Sequence, residues 1–230
     1  MKQKTTSGKN MKKKIILSAV SVIAALILVV GIPFVVLAGR TAGVKTDYSY
    51  LKNDPVYGVK ASVSGVELVT QHVSCGYATI EMLSSFYGAK ITEDELSEKN
   101  GGKITTSSTS GFLKEISRTL PGKTFVKKTY LKNDELLKNA HDSLAKGDPV
   151  AIEWAAEYEG EWTLHFSVVV GLDIAGDKVT ILNPYGYEEN ITVDEFIART
   201  TFEAYENMPG FLAFGFAFGA FDKNAIFYAA

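Results

Sequence analysis

One cysteine, Cys75, and three histidines, His72, His141 and His165, are the whole stock of thiol and imidazole in this sequence. A lone thiol excludes an internal disulfide. One Cys and three scattered His do not assemble a paired or clustered metal site either, so neither metal nor cofactor is expected. What remains for Cys75 is burial or chemistry. The run Cys75-Gly76-Tyr77-Ala78-Thr79-Ile80-Glu81-Met82-Leu83 places the thiol at the first turn of a helix, where unsatisfied backbone N–H groups favour the thiolate. Gly76 leaves room for a substrate backbone, and the Cys75 N–H would point at an incoming carbonyl oxygen.

A thiolate nucleophile needs a partner that accepts a proton and later returns it. His165 lies in Leu164-His165-Phe166-Ser167-Val168-Val169-Val170-Gly171, whose period-two alternation sets it on a rigid strand with Ser167 and Val169 on its face. The next strand, Val179-Thr180-Ile181-Leu182, delivers Asn183 followed by Pro184. An Asn183 side-chain oxygen there would accept the second imidazole N–H and fix tautomer and ring orientation; a carboxylate would accept the same N–H. His72 is a rival base in a loop that offers nothing to orient it, and His141 reads as a solvated residue on a helix face.

The elements that must position these residues fall in two halves. An amphipathic helix from Cys75 is stopped by Gly88, and Thr92-Glu93-Asp94-Glu95 has the form of a capping box opening a short second helix. A third helix is expected over 111–120 before Pro121-Gly122, and a fourth from Asn133 to Gly147. Residues 61–69 read as a strand. After Asp148 the chain turns to β-branched and aromatic runs, VAIEW, TLHFSVVVGL and KVTILN, interrupted by a capping box at Thr192-Val193-Asp194-Glu195. Phe214, Phe216 and Phe218 alternate with small residues and read as a closing strand, and the acidic, aromatic stretch 157–162 reads as a hairpin turn, with the wall of a cleft near His165 as the alternative. Helices first and strands after describe an α+β domain.

Ahead of the domain, residues 15–38 run without a charge, which at about 1.5 Å per residue is enough to cross a bilayer core. Six lysines precede the run, so the positive-inside bias puts residues 1–14 in the cytoplasm as a basic tail and the domain outside the cell membrane. A cleaved signal peptide, with small-residue chemistry at Val36-Leu37-Ala38, would give a secreted domain instead. Residues 39–57 read as a linker and 58–230 as the domain. All 26 acidic residues lie beyond Thr41, with 17 of the 24 basic ones, so the outer part is acidic and is not expected to bind nucleic acid.

Cys75-Gly76-Tyr77-Ala78 leading into Ser84-Ser85-Phe86-Tyr87-Gly88, then His165 with Val168-Val169-Val170-Gly171, then Asn183-Pro184-Tyr185-Gly186, resembles the papain-like fold of the bacteriocin-leader (double-glycine) peptidase-like family. The resemblance spans roughly residues 65–190. It implies a helical part carrying the Cys75 helix, an antiparallel sheet carrying His165 and Asn183, and a peptide or protein as substrate. Cys75 would be the nucleophile, His165 the general base and acid, Asn183 the orienting residue and Gln71 the oxyanion-hole donor. The family usually has Asp where this chain has Asn183, and its Gln usually lies further from the cysteine than the four residues separating Gln71 from Cys75. The chain has no GxxxxGK[ST] phosphate loop. Two functions follow: an extracytoplasmic, membrane-anchored thiol hydrolase, or a catalytically inactive papain-like module that binds a peptide or partner at the cell surface.

Overall fold

The computed structural model describes residues 6–230, with side chains from residue 14. Residues 1–5 of the expected basic tail lie outside the described residues. The chain forms two units, Met1–Arg40 and Thr41–Ala230.

The first unit is helical. Helix α1 (Thr6–Leu26) passes through a π-helical turn at Ile27–Gly31 into α2 (Ile32–Val44). Pro33 lacks an N–H and would collide with the carbonyl one turn back, and a widened turn just before it relieves both problems. Ile15, Leu17, Ile27 and Val35 are exposed. Among the described residues this is the one helix long and apolar enough to cross a membrane.

In the second unit a single antiparallel sheet separates two helical layers. Its strands are β1 (Ala61–Ser62), β2 (Phe125–Lys128), β3 (Val150–Tyr158), β4 (Glu161–Asp173), β5 (Lys178–Asn183), β6 (Tyr187–Ile191) and β7 (Ala225–Ala229). The order is β2-β7-β3-β4-β5-β6, and β1 joins the far end of β4 through Ala61 and Leu172. Strand alternation sends Ile152, Trp154, Val169 and Ile181 to one face, where α6 (Asn133–Ala145) and α7 (Val193–Thr200) cover them. Ala151, Phe166, Val168 and Phe227 go to the other face, under α3 (Cys75–Phe86) and α5 (Thr109–Thr119). Phe112 of α5 stacks on Phe166 with ring centroids 4.4 Å apart. The capping box at Thr92 opens α4 (Glu93–Lys99) with both of its reciprocal hydrogen bonds.

Three expectations differ. The stretch at 39–57 is not a free tether, because Val44 and Leu51 are fully buried and Tyr48 and Tyr57 pack on the core, with a 3-10 turn at Ser49–Asn53. Of residues 61–69, only Ala61 and Ser62 pair as strand. Phe214 and Phe216 lie in a helix, α8 (Gly210–Ala217), and not in a strand; Phe218 caps it. Pro209 precedes its first turn and Gly219, at φ +75°, follows its last, which are start and stop signals that outweigh the alternation.

Candidate active site

The loop before Cys75 is held from two sides. Gln71 N–H donates to Pro184 O at 2.8 Å, fastening the loop to the turn after β5. The buried Glu93 carboxylate accepts from the backbone N–H of His72, Val73 and Ser74 at 3.2, 3.0 and 2.9 Å. Ser74 then caps α3, its hydroxyl accepting from Tyr77 N–H at 3.2 Å. The sequence reading saw only the capping box of α4 and missed that its first residue, Glu93, reaches back to shape the approach to the thiol.

Gly76 serves packing and not substrate access. It is buried, and a Cβ there would lie 2.2 Å from Thr106 Oγ1, itself buried. Gly76→Ala should therefore push α3 off its seat and destabilise the fold by about 1–3 kcal/mol, a typical overpacking cost. Thermal unfolding checks this, and an unchanged Tm would mean that the Thr106 loop yields freely.

Cys75 is partly buried and lies against β4, where backbone N–H groups of Phe166, Gly76 and Cys75 itself favour its charged form. The helix-terminus argument expects a depressed thiol pKa. Burial outweighs the three donors and pushes the thiol up to about 11.

His165 and Asn183 meet as expected. Both are buried, and His165 Nε2 lies 3.0 Å from Asn183 Oδ1. The orientation of the Asn183 amide is set independently of the imidazole: Oδ1 also accepts from Tyr185 N–H at 3.0 Å, and Nδ2 donates to Glu189 Oε2 at 3.1 Å. The oxygen therefore faces His165, Nε2 carries the proton, and the lone pair of the neutral ring is on Nδ1. Burial pulls the imidazole down to about 3, so it stays neutral, with the hydrogen bond to Asn183 opposing the shift. Tyr185 lies on the imidazole, centroids 4.2 Å apart, and its hydroxyl is 2.7 Å from Thr163 Oγ1. That lid, which excludes water from the His165–Asn183 contact, was not read from the sequence, although Tyr185 stands in the quoted Asn183-Pro184-Tyr185-Gly186 run.

Among the described residues no hydrogen bond joins the Cys75 thiol to the His165 ring. The thiol meets the backbone of the adjacent residue, Phe166, and the charge of a Cys75 thiolate is felt at Tyr185, which stacks on His165. Gln71 Oε1 is buried without a partner. His72 faces away into carboxylates, Nε2 at 2.9 Å from Asp94 and Nδ1 at 3.2 Å from Glu93, which raise its pKa. His141 is buried, not solvated, with Nε2 2.8 Å from Val59 O and its ring against Tyr57, because the chain entering β1 covers that face of α6. The 157–162 stretch is the β3–β4 hairpin, turning at Glu159 and Gly160 with positive φ, and its Glu161 and Trp162 line a cleft of about 320 Å³ with Tyr205 and Glu206. Among the described residues no cluster of metal-ligating side chains occurs.

A solved double glycine motif protease from an AMS/PCAT transporter, in complex with the leader peptide, aligns with a TM-score of 0.47 and 15% identity over 74% of this chain and 98% of that chain. The peptidase domain of Streptococcus ComA, a bi-functional ABC transporter involved in a quorum sensing pathway, aligns at 0.46 and 16%, over 72% and 98%. No curated protein sequence matches. A family-wide sequence profile, the Peptidase_C39 like family, matches residues 63–213, from just after β1 into α8. That span holds both the Cys75 helix and the His165 strand, and by it this chain belongs to the Peptidase_C39 like family and has a papain-like α+β fold.

Proposed function

We propose that this chain is a thiol hydrolase that cleaves peptide bonds through Cys75, His165 and Asn183, held at the outer face of a membrane by its N-terminal helix. The observation that carries the reading is the doubly fixed Asn183 amide, which commits His165 Nε2 to donation and leaves Nδ1 as the base. As Cys75 Sγ attacks the carbonyl carbon, its proton passes to Nδ1. The oxyanion forms against the N–H of Cys75, with the Gln71 amide beside it. Nδ1–H then protonates the departing amine as the C–N bond breaks, and a water that gives its proton to the same nitrogen releases the acyl group. Incubating the full chain in detergent with a peptide library, with and without prior iodoacetamide, tests this; cleavage that survives complete alkylation of Cys75 would refute it.

One observation favours the non-catalytic module, namely the absence of a Cys75–His165 hydrogen bond among the described residues. The same library decides, since a module would retain peptides without cutting them.

The apolar helix and the lysines that precede it support the anchor. Protease added to intact cells should digest the domain and spare the N-terminus, whereas protection of the domain would reverse the orientation.

A further inference from the structure

Behind Asn183 stands a second charged layer that the catalytic reading does not use. Glu189 of β6 lies opposite Ile181 of β5, diagonal to Asn183 on the same face. One carboxylate oxygen takes the Asn183 Nδ2–H at 3.1 Å and the other takes Arg199 Nη1–H at 2.7 Å. The Glu189 and Arg199 side chains are only 14% and 9% exposed. Arg199 is itself fixed: Nη2 donates to Glu195 at 2.5 Å, and the guanidinium lies over Trp154 and Trp162 at 5.1 and 5.4 Å. Trp154 pairs across the sheet with His165 and is pinned by its Nε1–H to Ser167 at 3.0 Å. Turning Glu189 away from Asn183 would break its ion pair with the buried guanidinium and leave Arg199 to Glu195 alone.

We propose that Glu189, clamped by Arg199, is the positioning residue that selects the Asn183 orientation and through it the His165 tautomer, and that it favours an amide over an ionised carboxylate at position 183. This rests on the assignment of His165 as the base. An amide presents an oxygen to His165 and an N–H to Glu189, satisfying both. A carboxylate at 183 would satisfy His165, but at the Glu189 contact it sets oxygen against oxygen unless one of the two carboxyls holds a proton. With Glu189 removed, the Tyr185 N–H on Oδ1 and a long 3.5 Å contact from Nδ2 to the Tyr187 hydroxyl are left to resist an amide flip that would turn an N–H toward His165 and move the ring proton to Nδ1, the nitrogen needed as base.

Two measurements on the full chain in detergent test it. With three histidines in the sequence, nitrogen-15 histidine spectra resolve the His165 tautomer directly. The parent should show protonated Nε2, and Glu189→Ala should populate the other tautomer; identical His165 signals in both would overturn the proposal. Should Glu189→Ala not fold, Glu189→Gln takes its place. This readout needs no turnover, so an inactive parent with the expected spectra would sink the hydrolase and leave the positioning role standing. In the second measurement Asn183→Asp should lower kcat about a hundredfold with KM little changed, and adding Glu189→Gln should restore most of it. Purely additive losses would overturn the preference for an amide.

Discussion

Cys75→Ala should remove peptide hydrolysis altogether, and His165→Ala should do the same, each lowering kcat by about 10⁴-fold or more. In the proposed mechanism the two residues act as one unit: without Sγ no acyl-enzyme would form, and without Nδ1 neither the thiol nor the leaving amine would exchange its proton. The double variant should therefore be no slower than either single one, because the second substitution removes something already idle. Cys75 is partly buried and His165 is fully so, which makes a stability control necessary. Cys75→Ser keeps the size and polarity of the side chain and should fold like the parent while remaining inactive. Hydrolysis that persists in Cys75→Ala would place the nucleophile elsewhere, and losses that multiply in the double variant would mean that the two residues act separately.

Alkylation of the resting thiol should be slow at neutral pH and should climb with pH without levelling before about pH 11. An exposed cysteine ionises near pH 8.5, so at pH 7 Cys75 should react on the order of a hundredfold more slowly. The cause is burial, which outweighs three favourable N–H groups. The imidazole answers in the same sense: burial holds it near 3, so the base form persists as pH falls and the acid limb of hydrolysis should lie below pH 4. Both groups therefore rest uncharged at neutral pH, and in the proposed mechanism the charge pair would be made only as substrate is attacked. Iodoacetamide rates followed by mass spectrometry from pH 6 to 10 measure this. A flat profile would show a thiolate and imidazolium already formed in the free protein, as the helix-terminus argument taken alone predicts.

The difference between those profiles shows what a sequence can and cannot carry. Local signals were legible: the Cys75 helix, the capping box at Thr92, the β4 alternation around His165 and the strand that ends at Asn183 all appear where period and punctuation put them. The meeting of His165 with Asn183 was legible too, since consecutive antiparallel strands neighbour each other. Burial was not, because it depends on which surfaces close over a residue. Tyr185 over His165, and the chain before β1 over His141, are placed by how a turn and a loop close, which no period in the sequence marks. Glu93 and Glu189 escaped for the same reason, each reading as one more surface acid until its partners are seen. Phe214, Phe216 and Phe218 misled because one spacing serves two periods: in α8, Phe214 stacks on Phe218 while Phe216 turns inward onto Phe202.

The limited reach of β5 has a consequence for the solubility of the protein. β5 pairs only residues 168–173 of β4, while β3 follows the other side down to Glu161. Beside His165 the sheet thus has a bare edge, and the first turn of α3 lies against it, with Phe166 N–H turned to the Cys75 thiol. An unpaired edge is a template for another chain's strand, and natural sheets cover such edges. The helix that presents Cys75 is also the guard of that edge. Any loosening of α3 then opens a route to intermolecular strand pairing, so variants that unseat it should form β-rich aggregates before the rest of the domain has unfolded.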